Sequence, residues 1–216
     1  MSNDELQLDV SDELVWDPKI DSGSIAVAAD DGVVTLKGTV GSFREKREAK
    51  KAAERVQGVK SVDDKLRVRL LLNSYARDDA DLRGAVLQAL MLDSAVPSTI
   101  DAKVSNGIVT LTGTAQWRYQ LDEAEKVAGN VMGVVGVGDE VNLINPTEPG
   151  DVQKAIEHAF KRNAKLDAKG ISVESNNGTI TLTGAVSSWA EHDEALDAAW
   201  SAPGVTDVED HIAVEY

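Results

Sequence analysis

Cysteine is absent from the 216 residues, which excludes a disulfide framework and any thiolate metal site. Aromatic side chains make up only 4% of the chain, and histidine occurs three times. Basic residues fall short of acidic ones, 22 against 37, for a net charge of −15. A chain so acidic is repelled by nucleic acid, and taken whole by anionic membrane; no nucleic-acid partner is expected. No apolar run approaches the length that spans a bilayer. The opening "MSNDELQLDV" has neither the basic nor the apolar region of a signal peptide, so a cytoplasmic protein is expected. The charge is also uneven: residues 1–70 carry −2, residues 71–145 carry −5 and residues 146–216 carry −8.

What is present is a phrase said three times: "DGVVTLKGTV" from Asp31, "NGIVTLTGTA" from Asn106 and "NGTITLTGAV" from Asn177. Taking Gly32, Gly107 and Gly178 as the origin of each copy, a second glycine follows six residues on, at Gly38, Gly113 and Gly184. A third lies twenty-six residues on, at Gly58, Gly133 and Gly204, each followed by valine. The three copies align without a gap over this stretch, which marks an internal repeat.

Each repeated position has a local reading. Asp-Gly and Asn-Gly between alternating apolar residues predict a tight hairpin whose turn needs positive φ, hence the structural glycines Gly32, Gly107 and Gly178. Ile100/Ala102/Val104 before the turn and Val109/Leu111 after it alternate as strands do, and the other copies match. The second glycine is expected to end or bend the second strand. An alanine-rich stripe follows, as at Ala49, Ala52, Ala53 and Val56, with the i, i+3, i+4, i+7 spacing of an amphipathic helix. The third glycine is expected to cap that helix. Alternation at Leu66/Val68, Val141/Leu143 and Ile212/Val214 predicts a last strand. A further helix precedes each hairpin, clearest at Leu82–Leu90 and Val152–Phe160, and is expected to be short in the first copy, where Pro18 blocks it.

The fold class is therefore α+β: three tandem αββαβ modules, each a three-stranded mixed sheet with two helices packed on one face. The strand order stays open. The modules are placed at 1–70, 77–145 and 150–216, with linkers near "LLNSYARDD" (71–79) and "INPTEPG" (144–150).

The hairpin "NGIVTLTGTA", the aromatic pair Trp117 and Tyr119, and the ending at Gly133, Val134 and Val137 resemble the BON domain, a family named for bacterial osmotic-shock and nodulation proteins. The likeness covers nearly the whole chain as three copies. It implies an αββαβ fold and a non-enzymatic interaction module linked to osmotic stress. The family is proposed to bind phospholipid surfaces, and a relative that couples one such domain to a LysM domain binds potassium. Three copies leave no LysM-like segment here.

Candidate interaction residues follow from charge and aromatics. Arg44, Arg47, Lys51 and Arg55 share a stripe opposite the alanines of the first copy's second helix. A solvated face explains such a stripe, and so does attraction to anionic lipid or an acidic partner. In the third copy, Asp193 and Asp197 stand where the first has Arg47 and Lys51, a match that also suits docking between oppositely charged faces. Phe43, the pair Trp117 and Tyr119, and Trp189 fall where strand passes into helix. They can close a small core or serve as contact anchors.

Catalytic candidates are thin. His192 beside Asp193 reads as plain surface, and no paired-histidine metal spacing occurs. "GVVGVG" (133–138) leaves a helix and enters a strand, the reverse of the order phosphate binding needs. Asp63/Asp64, Asp139/Glu140 and Glu209/Asp210 lack the alternating ligands of a calcium loop. No enzyme, cofactor or metal is expected. The expected function is a non-enzymatic interaction or scaffold protein, stress-linked, with a protein partner or self-association; the alternative is a phospholipid-surface or cation (potassium or calcium) binding accessory protein.

Overall fold

The computed structural model describes residues 2–69, 78–144, 151–163, 166 and 170–215. The first module runs α1 (Asn3–Trp16), β1 (Ile25–Asp30), β2 (Val33–Val40), α2 (Phe43–Glu54) and β3 (Ser61–Val68). The second runs α3 (Asp79–Leu92), β4 (Ile100–Ser105), β5 (Ile108–Ala115), α4 (Arg118–Gly129) and β6 (Gly136–Leu143). The third runs α5 (Val152–Arg162), β7 (Ile171–Asn176), β8 (Thr179–Val186), α6 (Trp189–Trp200) and β9 (Asp207–Val214). Residues 71–77 and 145–150 of the two linkers lie outside the described residues.

Compactness divides the chain into two units. One is Met1–Thr114 with Gln120–Asn142, and the other is Ala115–Tyr119 with Leu143–Tyr216. The junction of β5 with α4 therefore belongs with the third module.

The strand order that alternation left open is β1-β2-β3, repeated as β4-β5-β6 and β7-β8-β9. The middle strand pairs antiparallel with the first, as Val27 with Leu36. In the outer modules it pairs parallel with the last, as Val34 with Val62 and Ile180 with Val208. Both helices cover one face. Leu6, Val10 and Leu14 of α1 and Ala49, Ala52 and Ala53 of α2 share a core with Val34, Leu36 and Leu66 of the sheet. Each fully buried leucine or valine there contributes about 1.5–3 kcal/mol. On the opposite face Lys37, Asp63, Lys65 and Arg67 meet solvent, so the alternation is apolar-in, polar-out.

Three local expectations are corrected. Helix α1 is not short: it spans 14 residues. Ser2 and Glu5 form a reciprocal capping box at its start, and its C-cap, Asp17, stands directly before Pro18, which cannot continue a helix. Of the two roles expected of the second glycine, ending the middle strand is excluded, since β2 continues through Gly38 to Val40. The glycine is needed because a neighbouring backbone carbonyl comes too close for a Cβ. The third glycine lies four residues past the helix end, not at its cap. There it faces the hairpin glycine: a Cβ on Gly32, Gly107 or Gly178 would stand 3.0–3.2 Å from the carbonyl oxygen of Gly58, Gly133 or Gly204.

The hairpin turns are as expected. Asp31 and Gly32, Asn106 and Gly107, and Asn177 and Gly178 all take positive φ, the double left-handed conformation of a primed turn. The hairpin glycine also fixes the entry to the last strand. Its carbonyl accepts the N–H of Lys60, Val135 or Thr206 at 2.8–2.9 Å, which accounts for the fixed spacing between the first and third glycines.

Candidate functional site

Helix α2 begins at an N-cap serine, Ser42, which accepts the N–H of Glu45, and Ser188 does the same for α6. Trp117 occupies the equivalent position before α4, where a serine would cap. The aromatic residues of the strand–helix junction thus sit at the first turn of the second helix. Trp117 and Trp189 are half-buried, and Tyr119 is exposed.

The basic stripe divides among different tasks. Arg55 places Nε and Nη2 on Glu13 Oε1 at 3.1 and 2.8 Å, and Nη2 on Asp17 Oδ2 at 3.0 Å. It ties α2 to the end of α1 within the first module. The Lys19 N–H and Arg55 hold the Asp17 carboxyl below its ordinary range. Arg47 lies 5.7 Å over the Phe43 ring and donates to Asn130 Oδ1 at 3.1 Å. Burial lowers its pKa, opposed by Glu48 and by Glu125 of α4. Arg44 and Lys51 are exposed and make no ion pair among the described residues. The geometry therefore keeps two of the four residues as a solvated pair. Asp193 and Asp197 are exposed on α6, in the other compact unit.

His192 corrects the surface reading of the sequence. Its ring is buried, with Nε2 2.8 Å from Asp210 Oδ2 on β9 and Trp189 packed edge-on at 4.7 Å. Nδ1 lies 3.5 Å from Asp193 Oδ1 but makes no well-formed hydrogen bond. Asp193 and Asp210 raise the imidazole pKa above its ordinary value, against the effect of burial. Repeat register gives the reason for this placement. The equivalent of His192 is Lys46 in the first module, 3.5 Å from Asp64, and Leu121 in the second, which joins the core.

The acidic residues at the last strand act in the backbone. Asp64, Asp139 and Asp210 each accept the N–H of the residue two further on, at 2.7–3.0 Å. Among the described residues no group of three or more His, Asp or Glu is placed to hold a metal ion. Nor is any described helix long and apolar enough to cross a membrane.

Sequence reasoning missed one surface. Trp16 at the end of α1 is 83% exposed, with Val15 beside it, and Met91 and Leu92 at the end of α3 are as open. Trp16 and Met91 stand sixteen residues before their hairpin glycines; the third module has Arg162 there. The signal was available: both residues fall off the i, i+4, i+8 stripe of Leu6, Val10 and Leu14 or Leu82, Val86 and Leu90.

A protein-family comparison agrees with this architecture. The model of the BON domain family matches residues 2–69, 78–145 and 150–216. Osmotically-inducible protein Y of Escherichia coli K12 is 36% identical over 146 residues, covering 65% of this chain and 72% of that protein. Among solved structures, CdsD, a structural protein of the type III secretion system of Chlamydia trachomatis, aligns at 18% identity with a TM-score of 0.26, covering 96% of this chain and 91% of that one. Its C-terminal domain aligns at 16% with a TM-score of 0.28, covering both chains fully. By the family match and the repeated sheet-and-helix unit, the chain belongs to the BON domain family and carries three tandem copies of the domain.

Proposed function

We propose that this is a non-enzymatic, osmotic-stress-linked interaction protein of the cytoplasm, whose modules present apolar helix ends to protein partners. The observation that carries the reading is the register-matched exposure of Trp16 and Met91. Large apolar side chains left in water at equivalent places on two modules mark contact surfaces. Two such ends on one chain gain avidity from a partner that engages both. The stress link draws on the relative named osmotically-inducible protein Y.

A phospholipid or cation ligand is the second reading, favoured by Trp16, a residue type that anchors at bilayer interfaces. Helix α1 weighs against an anionic bilayer. It carries Asp4, Glu5, Asp9, Asp12 and Glu13 and no basic residue. Co-sedimentation with anionic and neutral vesicles, beside calorimetric titration with potassium and calcium, separates the readings. The interaction reading expects the protein to stay in the supernatant and both titrations to be flat. Sedimentation with either vesicle, or saturable ion binding, would move the assignment to the second reading.

A further inference from the structure

Phe43 is the first residue of α2 and Gly129 the last of α4. A Cβ built on Gly129 would stand 2.8 Å from Phe43 Cδ1, 3.1 Å from Cε1 and 3.4 Å from Arg47 Nη1. Gly129 is buried and its φ is not positive, so no backbone conformation demands glycine there; the Phe43 ring takes the space a side chain would fill. Arg118 is the first residue of α4 and Trp200 the last of α6. Within the second compact unit Arg118 lies 5.4 Å over the Trp200 ring. Counted from the hairpin glycines, Phe43 and Arg118 share one position, eleven residues on, and Gly129 and Trp200 share another, twenty-two on. Two contacts in different parts of the chain thus use the same pair of places.

We propose that the first turn of the second helix in one module is a docking surface for the last turn of the second helix in the module that follows. The residue pair at those two turns sets the fit: Phe43 with Gly129, and Arg118 with Trp200. Size is complementary, a ring resting where the partner has no side chain and a guanidinium carbon held 5.4 Å over a large indole. Charge is complementary as well. A helix C-terminus carries partial negative charge that favours a cation, and Arg47 reaches Asn130 just past the end of α4. The pairing is heterologous, with different faces meeting, so each junction has its own matched residues.

Nuclear magnetic resonance and thermal unfolding of the full chain test it. Phe43→Ala is expected to shift the amide signals of Gly129, Asn130 and Val131 while leaving those of Asp31 and Gly32 in place. Arg47→Gln, a milder change, is expected to shift Asn130 alone among these. Gly129→Ala is expected to lower the thermal midpoint in the parent chain, because the new methyl meets the Phe43 ring. In the Phe43→Ala background the same change is expected to raise it by about 3 °C, since alanine is the better helix former. Arg118→Gln should shift one of the four tryptophan indole signals, that of Trp200. Unmoved signals at 129–131 in both Phe43→Ala and Arg47→Gln, or an equal rise in midpoint in both backgrounds, would overturn the first pairing. An unmoved Trp200 indole would overturn the shared rule.

Discussion

At Gly38 an added Cβ would stand 2.0 Å from the carbonyl oxygen of Ser24, and Gly113 and Gly184 face Thr99 and Gly170 at 2.1 and 1.9 Å. Their φ values of 115–147° add strain for any L side chain. Gly38→Ala is therefore expected to cost about 3 kcal/mol or more. Gly84 on α3 has nothing within 4 Å of the same position, and Gly84→Ala should gain up to about 1 kcal/mol from helix propensity. Urea unfolding of both variants checks the contrast; effects of equal size would show that close approach does not decide the first. The six-residue spacing was legible in the sequence, but its cause was not. The offending carbonyl comes from just before the first strand, and only sheet register brings it to the glycine.

His192 ties α6 to β9, as Lys46 ties α2 to β3 through Asp64. The charged groups acting on the imidazole are Asp193 on its own helix and Asp210 on β9. Strand β8 has no titratable residue. The folded pKa is raised, so the contribution is present in full below the unfolded value of about 6.5. It is lost as pH rises through the folded pKa. Stability of the third module should thus fall as pH rises above the unfolded value of about 6.5, by on the order of 1 kcal/mol. His192→Lys, which copies the first module, should keep the tie across that range, and His192→Leu, which copies the second, should flatten the dependence. Hydrogen exchange of α6 and β9 amides against pH is the measurement, and an unchanged slope in His192→Leu would remove His192 as its source. The elements themselves were legible from period and turn chemistry. This cross-element tie was not, because His192 beside Asp193 looks like surface until the repeat register sets it against Lys46 and Leu121.

For the whole molecule, three copies of one unit and a net charge of −15 were readable without coordinates, and so was the family. The exposed apolar helix ends were less so. The basic stripe looked continuous on a helical projection, yet Arg55 is occupied by Glu13 and Asp17 and Arg47 by Asn130. A projection shows which residues share a face, not what packs against it. Trp16 and Met91 were overlooked for the converse reason: apolar residues in a helix are assigned to the core unless the core stripe is already complete. The proposed stress-linked interaction rests on these two ends. Its most direct test is survival after a rise in external salt, in a strain lacking the gene and complemented with either the parent chain or the Trp16→Ser, Met91→Ser double variant at matched expression. Both side chains are already in water, so the variant should melt like the parent. The parent chain is expected to restore survival and the double variant to fail to do so. Full restoration by the double variant, or no survival defect in the strain lacking the gene, would contradict it.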